Sequence, residues 1–152
     1  MSELRRVSIP NEALLTQVGE LVSGGHHVTI RVRGNSMNPF FVDRRDEVIL
    51  SPFTKEDIKV GKVILARDGQ GRFILHRIIK IEGEDIVMMG DGNLKGVEHT
   101  TTNDILGIVT AGVRKGKQVK CAGFGWEFYS CLWVIMCPLR RWLLAIWRRF
   151  FV

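Results

Sequence analysis

A serine in a tight corner is the first residue of this sequence that could carry out chemistry. Ser36 follows an alternating apolar run, Val28 to Arg33, that is typical of a half-buried strand. Gly34 and Asn35 tolerate unusual backbone angles, and Pro39 restricts its own. We therefore expect Ser36 to project from a stiff turn at a strand end, where a nucleophile could be presented. An isolated serine at such a position is more often a simple turn residue.

A nucleophilic serine needs a base, and the base needs a group that orients it. His76 lies in an apolar stretch that reads as a strand, and histidine is the commonest general base. Asp91 lies between two glycines and could hold the other imidazole nitrogen, which sets the tautomer and stabilises the imidazolium. The structural alternatives are a core histidine and a turn-forming aspartate.

Four short motifs resemble those of type I signal peptidases and the related self-cleaving repressors, and they follow one another along the chain in the same order. Residues 36–39 are similar to the S-M-x-P nucleophile box, and residues 60–65 to a G-D-[IV]-[VI] strand. The His76-Arg77 pair lies where the bacterial enzymes carry Lys-Arg. Residues 90–93 resemble the G-D-N box of the archaeal and endoplasmic-reticulum type, which pairs serine with histidine. The resemblance extends over residues 28–113.

The resemblance implies a serine endopeptidase that binds an extended peptide as an added strand and cleaves it after a small residue. Ser36 would be the nucleophile and His76 the general base. The backbone N–H of Ser36, with help from Asn35 or Gly34, would stabilise the oxyanion. The substrate would therefore be a peptide or protein in extended conformation, and no cofactor is implied.

The third catalytic group stays open between two carboxylates. The eukaryotic type of the family has a second aspartate shortly after its G-D-N box. Here Val97 stands near that place, with Glu98 next to it and Asp104 further on. Asp91 is the first choice, Glu98 is the alternative, and Asp104 is a weaker third.

The elements that must position these residues are mostly strands. Leucines and valines at helical spacing predict one helix over residues 9–24, ended by two glycines. Strands are predicted over residues 28–33, 47–51, 62–67, 72–82, 85–89 and 105–114. The predicted fold is mainly β: a small signal-peptidase-like barrel or sheet with an N-terminal helix and a C-terminal amphipathic tail. The predicted segments are residues 1–25, 26–120 and 121–152.

The last segment changes character and suggests a membrane surface as a partner. Apolar residues recur there at steps of three and four, and the longest uncharged run is shorter than the roughly 20 residues of a membrane span. We predict two helical pieces, broken near Pro138, in a membrane interface. Packing on the protein's own core, binding of a partner and a true span are the alternatives. The residues expected to face the membrane or partner are Trp126, Trp133, Arg140, Arg141, Trp142, Trp147, Arg148 and Arg149.

Charge and cysteine content indicate which partners and which cellular compartment to expect. The net charge is +6, and the tail holds four arginines against one glutamate, so the body is only mildly basic and nucleic acid is not an expected partner. Three cysteines without a C-x-x-C pair, and no signal-peptide pattern, fit a reducing compartment. We expect a cytoplasmic protein or one peripheral on the cytoplasmic face. The histidines lack companions at metal-ligand spacing, so no metal site is predicted.

Two functions compete with the protease. One is a catalytically silent relative that binds extended peptides or serves as a membrane-associated adaptor. The other is a self-cleaving transcriptional regulator, which would need a DNA-binding module. A single N-terminal helix does not make a helix-turn-helix. We therefore rank the regulator last.

Overall fold

A computed structural model describes residues 11–32, 36–38, 40–42, 45–93, 96–121 and 124–151. The chain is mainly β, as predicted, with one helix before the sheet and two after it. The helices are α1 (Asn11–Ser23), α2 (Phe124–Ile135) and α3 (Arg140–Phe151). The strands are β1 (Val28–Arg31), β2 (Asp46–Ser51), β3 (Val63–Arg67), β4 (Phe73–Glu82), β5 (Asp85–Met89), β6 (Glu98–Thr100), β7 (Ile105–Arg114) and β8 (Lys117–Lys120).

The strands form one antiparallel sheet that curls into a half-barrel. Their order is β1-β2-β7-β3-β4-β5-β6, and β8 pairs with the end of β7. The predicted strands are all present, whereas β6 and β8 were not predicted. β6 has three residues and β8 is exposed throughout, so neither carries the alternation that reveals a half-buried strand.

The central strand β3 is buried on both faces. Val63 and Leu65 join the larger core cluster, while Ile64 and Ala66 join the smaller one on the opposite face, as the period of two requires. The larger cluster draws on all three predicted segments: α1, the sheet and the tail. Its residues include Val18, Val22, Met37, Phe40, Phe41, Val48, Leu50, Trp133 and Leu144. The predicted segments therefore share one core.

Asp46, a buried carboxylate at the start of β2, connects residues 40–42 with strand β7. Burial alone would raise the pKa of Asp46, but hydrogen bonds from Arg45, Arg114 and the Val42 amide outweigh it and lower the pKa. Arg114 also donates to the carbonyl oxygen of Phe40 at 2.9 Å. Strand β7 thereby fixes the place where Phe40 enters the core.

The tail consists of two helices joined by a short 3-10 turn, Cys137–Leu139, which contains the predicted break at Pro138. Their axes differ by 68°. No single helix in the described part of the chain is long and apolar enough to cross a membrane, although the bent pair together has sufficient length and composition.

Candidate active site

A groove of about 710 Å³ brings Ser36 and His76 to the same surface. Its walls are α1 with Leu14, Leu15, Val18 and Leu21, strand β1, and the first half of β4, residues 73–76. Met37 is 2% exposed and forms part of the floor, packed into the larger core cluster. The site is therefore a mainly apolar trough with the serine and the histidine in its lining.

Ser36 and His76 both approach Gly90 closely. A Cβ atom at Gly90 would overlap the carbonyl oxygen of Ser36 and would lie 3.0 Å from Nε2 of His76. The Gly92 amide donates to the same Ser36 carbonyl at 2.8 Å. The turn after β5 therefore has to carry glycine at position 90, because a side chain there would push apart the two residues predicted to react.

The imidazole of His76 is oriented by Glu98. Nδ1 of His76 and Oε2 of Glu98 are 2.8 Å apart, and the two side chains are 8% and 18% exposed. Since Nδ1 is engaged by a carboxylate, the tautomer with the free acceptor at Nε2 is favoured, and Nε2 points towards Gly90 and Ser36. Nε2 is therefore left without the carboxylate, on the side of the Gly90 turn and the Ser36 backbone carbonyl.

Asp91, the first choice for the third group, has a different partner. Its two carboxylate oxygens accept hydrogen bonds of 2.8 Å from Nε and Nη2 of Arg77, and both side chains are fully buried. Arg77 also donates to the Gly61 carbonyl at 2.8 Å. Asp91 thus neutralises a buried guanidinium. The carboxylate that contacts the imidazole is that of Glu98, the alternative candidate. Asp104, the weaker third, instead accepts from the Thr101 hydroxyl at 3.2 Å.

The remaining catalytic predictions concern the oxyanion donors. Gly34 and Asn35 lie outside the described residues. Within the described residues the Ser36 hydroxyl makes no hydrogen bond to His76, and Ser36 is half-buried. Hydrogen bonds between nucleophile and base are often long before substrate binds.

The structure divides the predicted tail residues between two faces. Trp133 and Arg140 are 7% and 0% exposed, so their assignment to a surface that faces a membrane or a partner is wrong. Trp126 is half-buried against Phe40 and Phe41. The exposed members are Arg141, Trp142, Arg148 and Arg149, and Trp147 is half-buried. Helical spacing identified the apolar residues but not the face that packs on the sheet.

Phe40, which was not predicted as a site residue, and Arg140, which was predicted only for the tail surface, both lie near the site. Phe40 packs edge-on against Trp126 and Trp133, with ring centroids 5.6 Å apart in both pairs, and Arg77 stacks over its ring at 4.3 Å. Arg140 donates through Nη1 to the Gly90 carbonyl at 3.0 Å. Neither carries a sequence signal for this role, because both contacts join segments far apart in the chain.

Among the described residues, no group of three or more histidine, cysteine or carboxylate side chains could hold a metal ion. Comparison with protein-family models and with curated protein sequences finds no match for this chain. The features that bear on function are therefore the four sequence motifs and the geometry around His76.

Proposed function

We propose that this protein is a serine endopeptidase of the signal-peptidase-like group, with Ser36 as nucleophile, His76 as general base and Glu98 as the group that orients the base. The observation that carries the proposal is the imidazole of His76, held by Glu98 at Nδ1 while Nε2 faces the Ser36 segment. In the reaction, Nε2 accepts the Ser36 proton as Oγ attacks the peptide carbonyl, and later returns it to the leaving amine. Water then hydrolyses the acyl-enzyme.

The groove supports an extended peptide as substrate. Within the described chain, β1 pairs on one side only, and the first half of β4 pairs with β3 but not with β5. Both strands line the groove, so a peptide entering it meets unpaired strand edges and apolar side chains. Backbone hydrogen bonds to such an edge would hold the peptide extended, with alternate side chains pointing into the groove.

The test is cleavage of a proteome-derived peptide library, with mass-spectrometric identification of the products. We expect cleavage after small residues by the wild type and none by Ser36→Ala. A peptide that is cleaved would then be N-methylated at one backbone position at a time. If the substrate binds as a strand, methylation should block cleavage at alternate positions and be tolerated between them. A folded wild type that cleaves no library member but binds its peptides would favour the silent peptide-binding module.

We further propose that the protease works on an anionic membrane surface. The outer face of the tail carries an apolar stripe at steps of three and four through both helices, formed by Phe128, Leu132, Ile135, Leu139, Trp142, Ile146 and Phe150, all exposed. Exposed Arg141, Arg148 and Arg149 flank it. Apolar and aromatic side chains beside arginine suit the boundary between acyl chains and negatively charged headgroups, whereas a neutral protein partner would leave the arginines unpaired.

Arg148→Gln with Arg149→Gln is expected to weaken binding to vesicles that contain phosphatidylglycerol by about 30-fold, because each arginine contributes about 1 kcal/mol near an anionic surface. Co-sedimentation with vesicles measures the change. The matched control is Lys117→Gln with Lys120→Gln, which removes the same charge from exposed β8 and should change binding less than about twofold. Equal loss in both pairs, or dimerisation without vesicle binding, would contradict the proposed lipid partner.

A further inference from the structure

Arg140 differs from the other arginines of the tail because it is completely buried. Nη1 donates to the Gly90 carbonyl, and the guanidinium lies 5.4 Å from the centroid of the Trp133 ring. Nε and Nη2 have no hydrogen-bond partner among the described residues. Burial lowers the pKa of Arg140, and the nearby Asp91 carboxylate opposes that effect. A buried cation with unpaired donors is costly, so fold stability is a poor explanation for it.

Arg140 donates its hydrogen bond to the turn after β5, which adjoins the candidate active site. The Gly90 carbonyl accepts from Arg140 Nη1 and from the Asn93 amide, both at 3.0 Å. The same turn is joined to Ser36 by the Gly92 amide, and Gly90 itself lies against Nε2 of His76. A displacement of the Gly90 carbonyl would therefore move Ser36 relative to the imidazole.

A second, aromatic contact connects the tail to the same turn. The ring of Phe40 lies against Trp126, Tyr129 and Trp133 of α2, with ring centroids 4.7 to 5.6 Å apart. The guanidinium of Arg77 stacks over Phe40 and holds Asp91, which follows Gly90. The tail is thus connected to the turn twice: directly through Arg140 to the Gly90 carbonyl, and indirectly through Phe40 and Arg77 to Asp91.

We propose that Arg140 is a positioning residue, through which the docked tail sets the distance between Ser36 and His76. This inference rests on the proposed protease function. Arg140 does not touch the reacting atoms. Its contribution is to hold the Gly90 carbonyl, so that the turn keeps Ser36 and His76 at a fixed distance. Loss of the guanidinium should lower kcat and leave KM nearly unchanged, because the groove walls are built from α1, β1 and β4.

The experiment compares Arg140→Met and Arg140→Lys with Arg72→Met, which removes an exposed arginine of the β3–β4 hairpin. On a cleaved peptide, Arg140→Met should lower kcat by about 100-fold, the usual consequence of misplacing reacting groups by about 1 Å. KM should change less than twofold. Arg140→Lys, which keeps one charged donor, should recover part of the loss, and Arg72→Met should have no effect.

A spectroscopic measurement separates this inference from the proposed function. In folded full-length protein, Arg140→Met should shift the NMR signals of the Gly92 amide and the His76 imidazole nitrogens, while Arg72→Met should not. These shifts are observable even if no peptide is cleaved, so failure of the proposed function can be distinguished from the absence of coupling between Arg140 and the turn. Unchanged signals in Arg140→Met and Arg140→Lys, or a kcat loss that only follows the unfolded fraction, would overturn the inference.

Discussion

Ser36→Ala and His76→Ala are each expected to reduce kcat for a cleaved peptide by about 10⁶-fold, because serine and base act as one unit. Without the hydroxyl there is no acyl-enzyme, and without the imidazole the hydroxyl stays protonated and weakly nucleophilic. For the same reason the double variant should be about as active as either single variant. Initial rates with the same peptide, corrected for the folded fraction, measure the effect.

The chain offers a matched control in a second serine–histidine pair. Nδ1 of His27 lies 2.7 Å from Oγ of Ser51, which in turn contacts the Thr110 hydroxyl at 2.6 Å. These residues are absent from the lining of the groove. Ser51→Ala and His27→Ala should retain activity. If Ser36→Ala stays active and folded, the protease mechanism is wrong; if Ser51→Ala is inactive and folded, the nucleophile has been misassigned.

Glu98→Gln is expected to lower kcat, whereas Asp91→Asn is expected to lower the free energy of unfolding. Glutamine at position 98 keeps the size of the side chain but removes the charge that stabilises the imidazolium and selects the tautomer. By analogy with the serine protease triad, kcat should fall by up to about 10⁴-fold. Because Glu98 is partly exposed, the free energy of unfolding should change little.

Asparagine at position 91 leaves Arg77 buried without its counter-charge. Breaking a buried ion pair from one side costs about 3–5 kcal/mol, so Asp91→Asn should lower the free energy of unfolding by about that amount. Urea denaturation measures the stability of both variants, and peptide cleavage measures kcat of the folded fraction. A stable but inactive Asp91→Asn together with a fully active Glu98→Gln would return the third role to Asp91.

Local sequence was sufficient for most of the elements and for naming two candidate site residues. The alternation of apolar residues predicted the main strands, because a side-chain period of two is a property of each strand alone. The helical period predicted α1 and the two tail helices for the same kind of reason. Ser36 and His76 could be named because the corner and the strand that carry them have recognisable local patterns.

The partner of the imidazole could be decided only in three dimensions. Asp91 lies within residues 90–93 and Glu98 follows shortly after them, and nothing in the local sequence shows which of the two contacts the imidazole. In the fold, Arg77 is adjacent to His76 in β4 and takes both oxygens of Asp91, a bidentate pairing that neutralises the buried guanidinium. Glu98, on the unpredicted strand β6, is then the carboxylate that reaches Nδ1.

The tail likewise has some features that local sequence predicted and others that only the tertiary structure decided. Sequence by itself predicted two amphipathic helical pieces, rich in arginine and tryptophan, within residues 121–152. Only the tertiary structure decided that Trp133 and Arg140 face the core, while Trp142, Arg148 and Arg149 face outward. The physical reason is that each helix has apolar residues on more than one side. The side that is buried depends on the shape of the surface it meets, here Phe40 and the Gly90 turn, which the chain assembles from distant segments.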